Sequence, residues 1–378
     1  MTLKIVIAPD SFKGSLSASE AANAIDKGIK NAFPNAETYL LPVADGGEGT
    51  METLVAATNG QIKEALVTGP LGNQVQAAYG VLGDGQTCVI EMAVAAGLAL
   101  VHTTKLNPLQ ATTFGVGELI KLALDDGYRS FIVALGGSAT NDGGAGMLQA
   151  LGAKLLDCHG REIGFGGGCL AEIDKIDLTN FDARIKNSKV LIASDVKNPF
   201  IGVNGASHIF GPQKGATPEM VHTLDCNLTH WANKIKASTG VSLHDLEGAG
   251  AAGGLSGAFL AFFHATMASG IEVVLKYVKF NHHLQNTDLV ITGEGQVDHQ
   301  TASGKTPQGV AMAAQKKNVP TVILAGAVGE GIETLYNYGV VSVTSMMSKP
   351  MTLGDAMHHA ESLLERSAEQ VVRLFFHK

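Results

Sequence analysis

Residues 3–8 are apolar except for Lys4, the pattern of a strand buried on both faces, and Pro9-Asp10-Ser11 ends the run. Ser17, with Glu20 three residues on, predicts a capped helix whose apolar positions 21, 22, 25 and 29 share one face. A second strand over 39–44 stops at Asp45-Gly46-Gly47, and a second helix over 50–58 closes on Asn59-Gly60. The last third of the chain repeats this alternation. It predicts a strand at 288–292, a loop at 293–306 and a helix opened by Pro307 that runs to about 317. A strand at 321–324, a helix near 332–338, a strand at 340–344 and a long helix at 353–374 follow. Strands alternating with helices at both ends of the chain predict a discontinuous, doubly wound (flavodoxin-like) parallel sheet from residues 1–60 and 286–378. The stretch between them, 61–285, predicts an inserted α/β domain with a mixed sheet. Its Val/Ala runs, broken at Gly69-Pro70, Leu71-Gly72-Asn73 and Gly83-Asp84-Gly85, read as antiparallel hairpins. A helix near 115–125 and strands at 131–135 and 190–193 complete it.

Composition narrows the function classes. Lys and Arg number 27 against 35 Asp and Glu, a net charge of −8, which leaves no electrostatic footprint for nucleic acid. A hydrophobic share of 45% excludes intrinsic disorder. None of the four cysteines forms a C-x-x-C pair, so a zinc knuckle or thioredoxin-type site has no support, and so few cysteines suit a reducing compartment. The apolar run at the start ends at Pro9, too short for a signal peptide, so a soluble cytoplasmic protein is expected. Residues 248–271 carry no Asp, Glu, Lys or Arg and are long enough to span a bilayer. They contain Ser256, His264, Thr266 and Ser269 and lack a flanking basic cluster, so they read as a glycine loop feeding a buried helix, with no membrane partner.

Glycine, 46 of 378 residues, clusters in short runs. Five polar loops follow apolar runs: 9–15, 44–50, 136–144, 194–199 and 293–298. Ligands of open α/β sheets bind beyond the carboxyl ends of strands, so five such loops point to one site assembled from several. Glycine runs at 46–49, 143–146 and 248–254 fit anion-holding backbone nests. Asp10, Asp45, Asp195, Glu294 and Asp298 are candidates to ligate Mg²⁺ or to act as a base in phosphoryl transfer. The arginines lie outside these loops, so transition-state charge falls to Lys13, Lys197, Lys214 and Lys305. Residues 303–306 end like a P-loop, but His299 stands where that motif needs glycine. Gly248, Gly250 and Gly253 match the dinucleotide pattern, though no clear strand precedes them. Blander readings stay beside these. Asp10 and Asp45 could be helix caps, 248–257 could serve close helix packing, and 211–215 could be a surface turn with Lys214 solvated. Trp231 reads as core, while the His282-His283, His358-His359 and Cys158-His159 pairs read as chemically idle.

The runs 8–16 (APDSFKGSL), 42–50 (PVADGGEGT), 136–152 (GGSATNDGGAGMLQALG), 195–199 (DVKNP), 211–216 (GPQKGA), 248–254 (GAGAAGG) and 292–309 (TGEGQVDHQTASGKTPQG) closely resemble those of the bacterial class I glycerate kinases, across essentially the whole chain. The resemblance implies ATP- and Mg²⁺-dependent phosphorylation of D-glycerate, two α/β domains with the active site in the cleft between them, and 2-phosphoglycerate as product. Under it Asp195 is the expected base, with Asp45 and Lys13 also catalytic. Asp45 with Glu294 or Asp298 would hold the metal. Asp10, Ser11, Lys13, Ser138, Thr140 and Asn141 would bind the acid. Gly46, Gly47, Gly143, Gly144, Gly293, Glu294 and Lys305 would bind the nucleotide. Phosphorylation at the 3-hydroxyl, a non-catalytic sugar-acid sensor and a dinucleotide-dependent oxidoreductase remain as rivals. The oligomeric state stays open, a homodimer among the options.

Overall fold

The computed structural model describes residues 3–299, 301 and 305–377. Its chain divides into two compact units. One gathers the described residues of Met1–Asp45, Ala56–Thr58 and Ser269–Lys378; the other gathers Gly46–Val55 and Asn59–Ala268. The predicted boundaries lay at 60/61 and 285/286 instead.

The first unit opens on β1 (Lys4–Ile7), whose Ile5, Val6 and Ile7 are fully buried, as an unbroken apolar run requires. Ser17 then caps α1 (Ala18–Ala32). Glu20 N–H donates to Ser17 Oγ at 3.2 Å, while Ser17 N–H donates to the Glu20 carboxylate at 2.8 Å. Ala21, Ala22, Ile25 and Ile29 lie on its buried face. β2 (Glu37–Leu40) ends before the predicted 44: Leu41 and Val43 N–H still donate to Ile7 O and Pro9 O at 2.8 and 3.0 Å, but Pro9 has no N–H to return a bond from β1.

The chain then enters the second unit. α2 (Thr50–Thr58) has its predicted limits, and Asn59 at φ +55° ends it, with Gly60 N–H donating to Val55 O at 2.8 Å. β3 (Gln61–Thr68), β4 (Gln74–Val81) and β5 (Thr87–Glu91) pair antiparallel, the predicted hairpins. α3 (Phe114–Asp125), β6 (Ser130–Ala134), α4 (Ala145–Ala150), a small ribbon of β7 (Lys154–Leu156) and β8 (Lys175–Asp177), and β9 (Lys189–Ala193) follow. α5 (Pro218–Thr239), α6 (Leu255–Phe262) and β10 (Thr266–Ala268) complete the unit. Its six-stranded sheet runs β10-β9-β6-β5-β4-β3, parallel from β10 to β5. The charge-free stretch 248–271 is therefore a tight turn, a short buried helix and a strand. No described helix is long and apolar enough to cross a membrane. Trp231 sits in the core, its indole N–H donating to Gly143 O at 3.0 Å.

The first unit resumes with α7 (Gly270–Tyr277), β11 (Leu289–Val297), α8 (Thr306–Gln315), β12 (Thr321–Val328), β13 (Val340–Ser345) and α9 (Ala360–Phe375). Its sheet, β13-β12-β11-β1-β2, is parallel throughout. Counted within the unit, the strand order is 2-1-3-4-5, that of a flavodoxin-like doubly wound sheet. Two predictions need correction. The loop expected from 293 begins as strand, because β12 is longer than its apolar core and pairs Gly293, Glu294, Gln296 and Val297 with Leu324, Ala325, Ala327 and Val328. The helix expected over 353–374 is interrupted at His359, whose ψ of 14° leaves the helical region. Residues 300 and 302–304 of the 292–309 motif lie outside the described residues.

Candidate active site

In the first unit, β1 and β11 are neighbours at the point where the strand order reverses, where open α/β sheets leave a crevice beyond their carboxyl ends. Asp10 follows β1, Asp45 follows β2, and Glu294 lies in the last part of β11. These three line one cavity of about 700 Å³ with Ser11, Lys13 and Lys305. Asp10 is fixed from both sides, its Oδ1 accepting from Ser11 N–H at 2.6 Å and its Oδ2 from Thr306 Oγ1 at 2.6 Å. Burial, with the Asp45 charge added, pushes its carboxyl up to about 6. Glu294 accepts from Thr301 Oγ1 at 2.6 Å, and burial pushes it up to about 7, Asp10 and Asp45 adding to the rise and Lys305 opposing it. A wall containing Met346, Met347, Met351 and Met357 faces the same cavity.

A carboxyl whose folded value stands above its ordinary one holds a proton that the unfolded chain has lost. Its contribution to stability is full below the ordinary value near 4.5 and disappears as pH rises through about 7. Glu294→Gln keeps the acceptor for Thr301 and removes the charge. It should stabilise the protein at pH 8 by up to about 3 kcal/mol and leave it unchanged at pH 4.5. Denaturant unfolding at the two pH values checks this, and an equal effect at both would show that Glu294 is charged throughout.

Asp298 does not line the cavity; its carboxylate accepts from Gln296 Nε2 at 3.0 Å. Gly293 is packed within the sheet. Its carbonyl accepts from Asp10 N–H at 2.9 Å, and a Cβ there would stand 2.1 Å from Leu324 O, so this glycine lets the sheet close beside Asp10. Among the described residues no three carboxylate, histidine or cysteine side chains form a ready metal cage. Asp10, Asp45 and Glu294 nonetheless supply the oxygen donors that Mg²⁺ prefers, and that ion commonly takes one or two carboxylates and completes its shell with phosphate oxygens.

In the second unit, Ser138, Thr140 and Asn141 occupy the buried turn after β6. Asn141 Nδ2 donates to Ser207 Oγ at 2.9 Å. Lys214, expected from sequence either to meet transition-state charge or to sit solvated on a surface turn, is 1% exposed. Its ammonium donates to Ser138 Oγ at 2.8 Å and to Thr140 O at 2.6 Å. Burial pushes it down to about 7, against the pull of Asp142. Asp195 follows β9, half-buried on a loop pinned by Gly248 N–H to Lys197 O at 3.1 Å and Gly250 N–H to Asn198 O at 3.0 Å. Lys197 itself is exposed.

The Gly143–Gly146 run does not survive as an anion nest. Gly144 and Gly146 N–H groups donate to the Asp142 carboxylate at 3.1 and 3.3 Å, and Gly143 N–H donates to Gly253 O at 3.0 Å. These amides have no hydrogen left for phosphate, so Gly143 and Gly144 hold a buried turn together. Gly46 and Gly47 lie against Gly136, where a Cβ would reach 2.5 Å from Gly47 Cα. The amides of Gly49 and Met51, at the start of α2, donate to the Glu91 carboxylate at 3.2 and 3.3 Å. Sequence reasoning missed Glu91. It is buried, with its carboxyl pushed up to about 7 by burial, and its signal was an acid closing an otherwise uncharged strand run.

The chain matches the model of the glycerate kinase family over residues 5–376. It is 52% identical over 369 residues to a glycerate kinase of Bacillus subtilis (strain 168), covering 98% of this chain and 97% of the relative. It is 49% identical to a glycerate 2-kinase of Escherichia coli (strain K12), with the same coverage. A crystal structure assigned to glycerate kinase 2 from Salmonella typhimurium LT2 superposes with a TM-score of 0.88 at 46% identity, covering 99% of this chain and 98% of that one.

Proposed function

The chain belongs to the glycerate kinase family, and on that premise we propose that it transfers the γ-phosphoryl group of ATP to the 2-hydroxyl of D-glycerate, giving 2-phosphoglycerate and ADP. Near-complete coverage of relatives named for glycerate, one of them for its 2-position, carries this reading.

The first unit's cavity suits the nucleotide. Lys13 and Lys305 meet phosphate charge, and the methionines offer the base an adaptable apolar surface. Asp45 and Glu294, with Asp10 beside them, would hold Mg²⁺, which when bound neutralises charge on the phosphate oxygens. In the second unit Ser138, Thr140 and Asn141 bind the acid, and Asp195 takes the proton from the attacking hydroxyl. All four cysteines are free thiols, which supports a place in the reducing cytoplasm.

Phosphorus NMR of the purified protein with ATP, Mg²⁺ and D-glycerate tests the reaction. A new phosphomonoester resonance coupled to one proton is expected. Coupling to two protons would move the reaction to the 3-hydroxyl. No resonance, with glycerate still bound, would leave a sensor.

A further inference from the structure

A lysine buried to 1% exposure with no carboxylate in ion-pair reach, among the described residues, needs a reason. An unpaired buried ion is costly, and an apolar side chain would fill the same space at less cost. Asp142 is the titratable group that bears on Lys214. Its carboxylate is already engaged by Thr113 N–H and Oγ1, Gly144 N–H and Gly146 N–H. The ammonium is instead spent on the turn assigned above to the acid. Because Ser138 Oγ accepts from Lys214, its own hydroxyl hydrogen must point elsewhere as a donor. Thr140 Oγ1 and Asn141 Oδ1, both on fully buried residues, have no hydrogen-bond partner among the described residues. The turn thus offers two hydroxyl donors, which suit a carboxylate, and one amide acceptor, which suits the neighbouring hydroxyl. That set matches a 2-hydroxy acid.

We infer that Lys214 is the positioning residue for the acid substrate: its buried ammonium orients Ser138 and Thr140 toward the substrate carboxylate and supplies the charge which that carboxylate neutralises. The inference rests on the proposed glycerate kinase reading. It differs from the sequence expectation, in which Lys13 met the acid.

An anion arriving near a partly neutral ammonium draws a proton onto it. Calorimetry of D-glycerate binding to the intact protein at pH 8, in two buffers of different ionisation enthalpy, should therefore show uptake approaching one proton per site. Lys214→Met should abolish most of that uptake. It should raise the KM for glycerate by about 10–100-fold and that for glyceramide, the uncharged amide analogue, by a clearly smaller factor, because both lose the oriented turn and only the acid loses its charge partner. In the unaltered protein kcat/KM for glycerate should fall above pH 7 while that for glyceramide stays level, a readout that does not depend on the variant folding. Glycerate that binds and is phosphorylated without proton uptake overturns the inference and leaves the kinase reading intact. So does a variant that weakens both substrates equally. Absence of glycerate binding overturns both.

Discussion

Replacing Asp195 with Asn lowers kcat by about 10²–10⁴-fold, the range expected when a general base is lost, and leaves the KM for ATP within a few-fold. The amide keeps the shape of the side chain but cannot take a proton. The substitution should disturb little else, because the loop that carries Asp195 is held through backbone groups. Gly248 and Gly250 N–H groups grip the carbonyls of Lys197 and Asn198, and Ser194 N–H donates to Ala268 O at 3.1 Å. Steady-state kinetics at saturating ATP and glycerate, repeated over a range of Mg²⁺, decides the role. A kcat like that of the unaltered enzyme removes Asp195 from proton transfer. A loss restored by raising Mg²⁺ makes it a metal ligand instead.

Replacing Gly253 with Ala destabilises the protein by about 3–5 kcal/mol, with activity falling in step with the folded fraction. Gly253 has φ +67°, and a Cβ on it would stand 2.0 Å from Thr140 O and 2.7 Å from Asn141 Cα. Both contacts are with backbone, which cannot swing aside as a side chain would. Thr140 O is also the acceptor that receives Lys214, so relief of the clash displaces the buried ammonium as well. Thermal and urea unfolding check the prediction. A variant as stable as the unaltered protein would show that the turn relaxes around the added methyl and would overturn the steric argument.

How much of this was legible depends on the range of the interactions involved. The strand at 3–8, the capping box of Ser17 and Glu20, the closure of α2 at Asn59-Gly60 and the hairpins before Glu91 are local patterns, and each formed where predicted. The flavodoxin-like order followed from strands alternating with helices at both ends of the chain. Clustering of carboxylates after strands was legible too, and Asp10, Asp45 and Glu294 do line one cavity. What failed depended on distant partners. Whether an amide in a glycine run is free for phosphate depends on what else claims it, and Asp142 claims those of Gly144 and Gly146. Whether Lys214 is solvated depends on a turn 74 residues away, where it bonds Thr140. The role of Glu91 likewise depends on a distant element, α2, whose first amides rest on its carboxylate.

The position of β1 in its sheet has a consequence during synthesis. β1 is an interior strand, with β2 on one side and β11 on the other. Ala8 O accepts from Thr292 Oγ1 across 284 residues of chain. A ribosome adding about 5–20 residues per second needs tens of seconds to make that stretch. Through that interval the uninterrupted segment 59–268 can complete its own sheet, whereas the apolar Ile5-Val6-Ile7 run waits with one ladder unfilled. An unpaired apolar strand is a template for pairing with another chain. The nascent protein is thus most exposed to aggregation, and most in need of a chaperone, at its first strand and until its last third emerges.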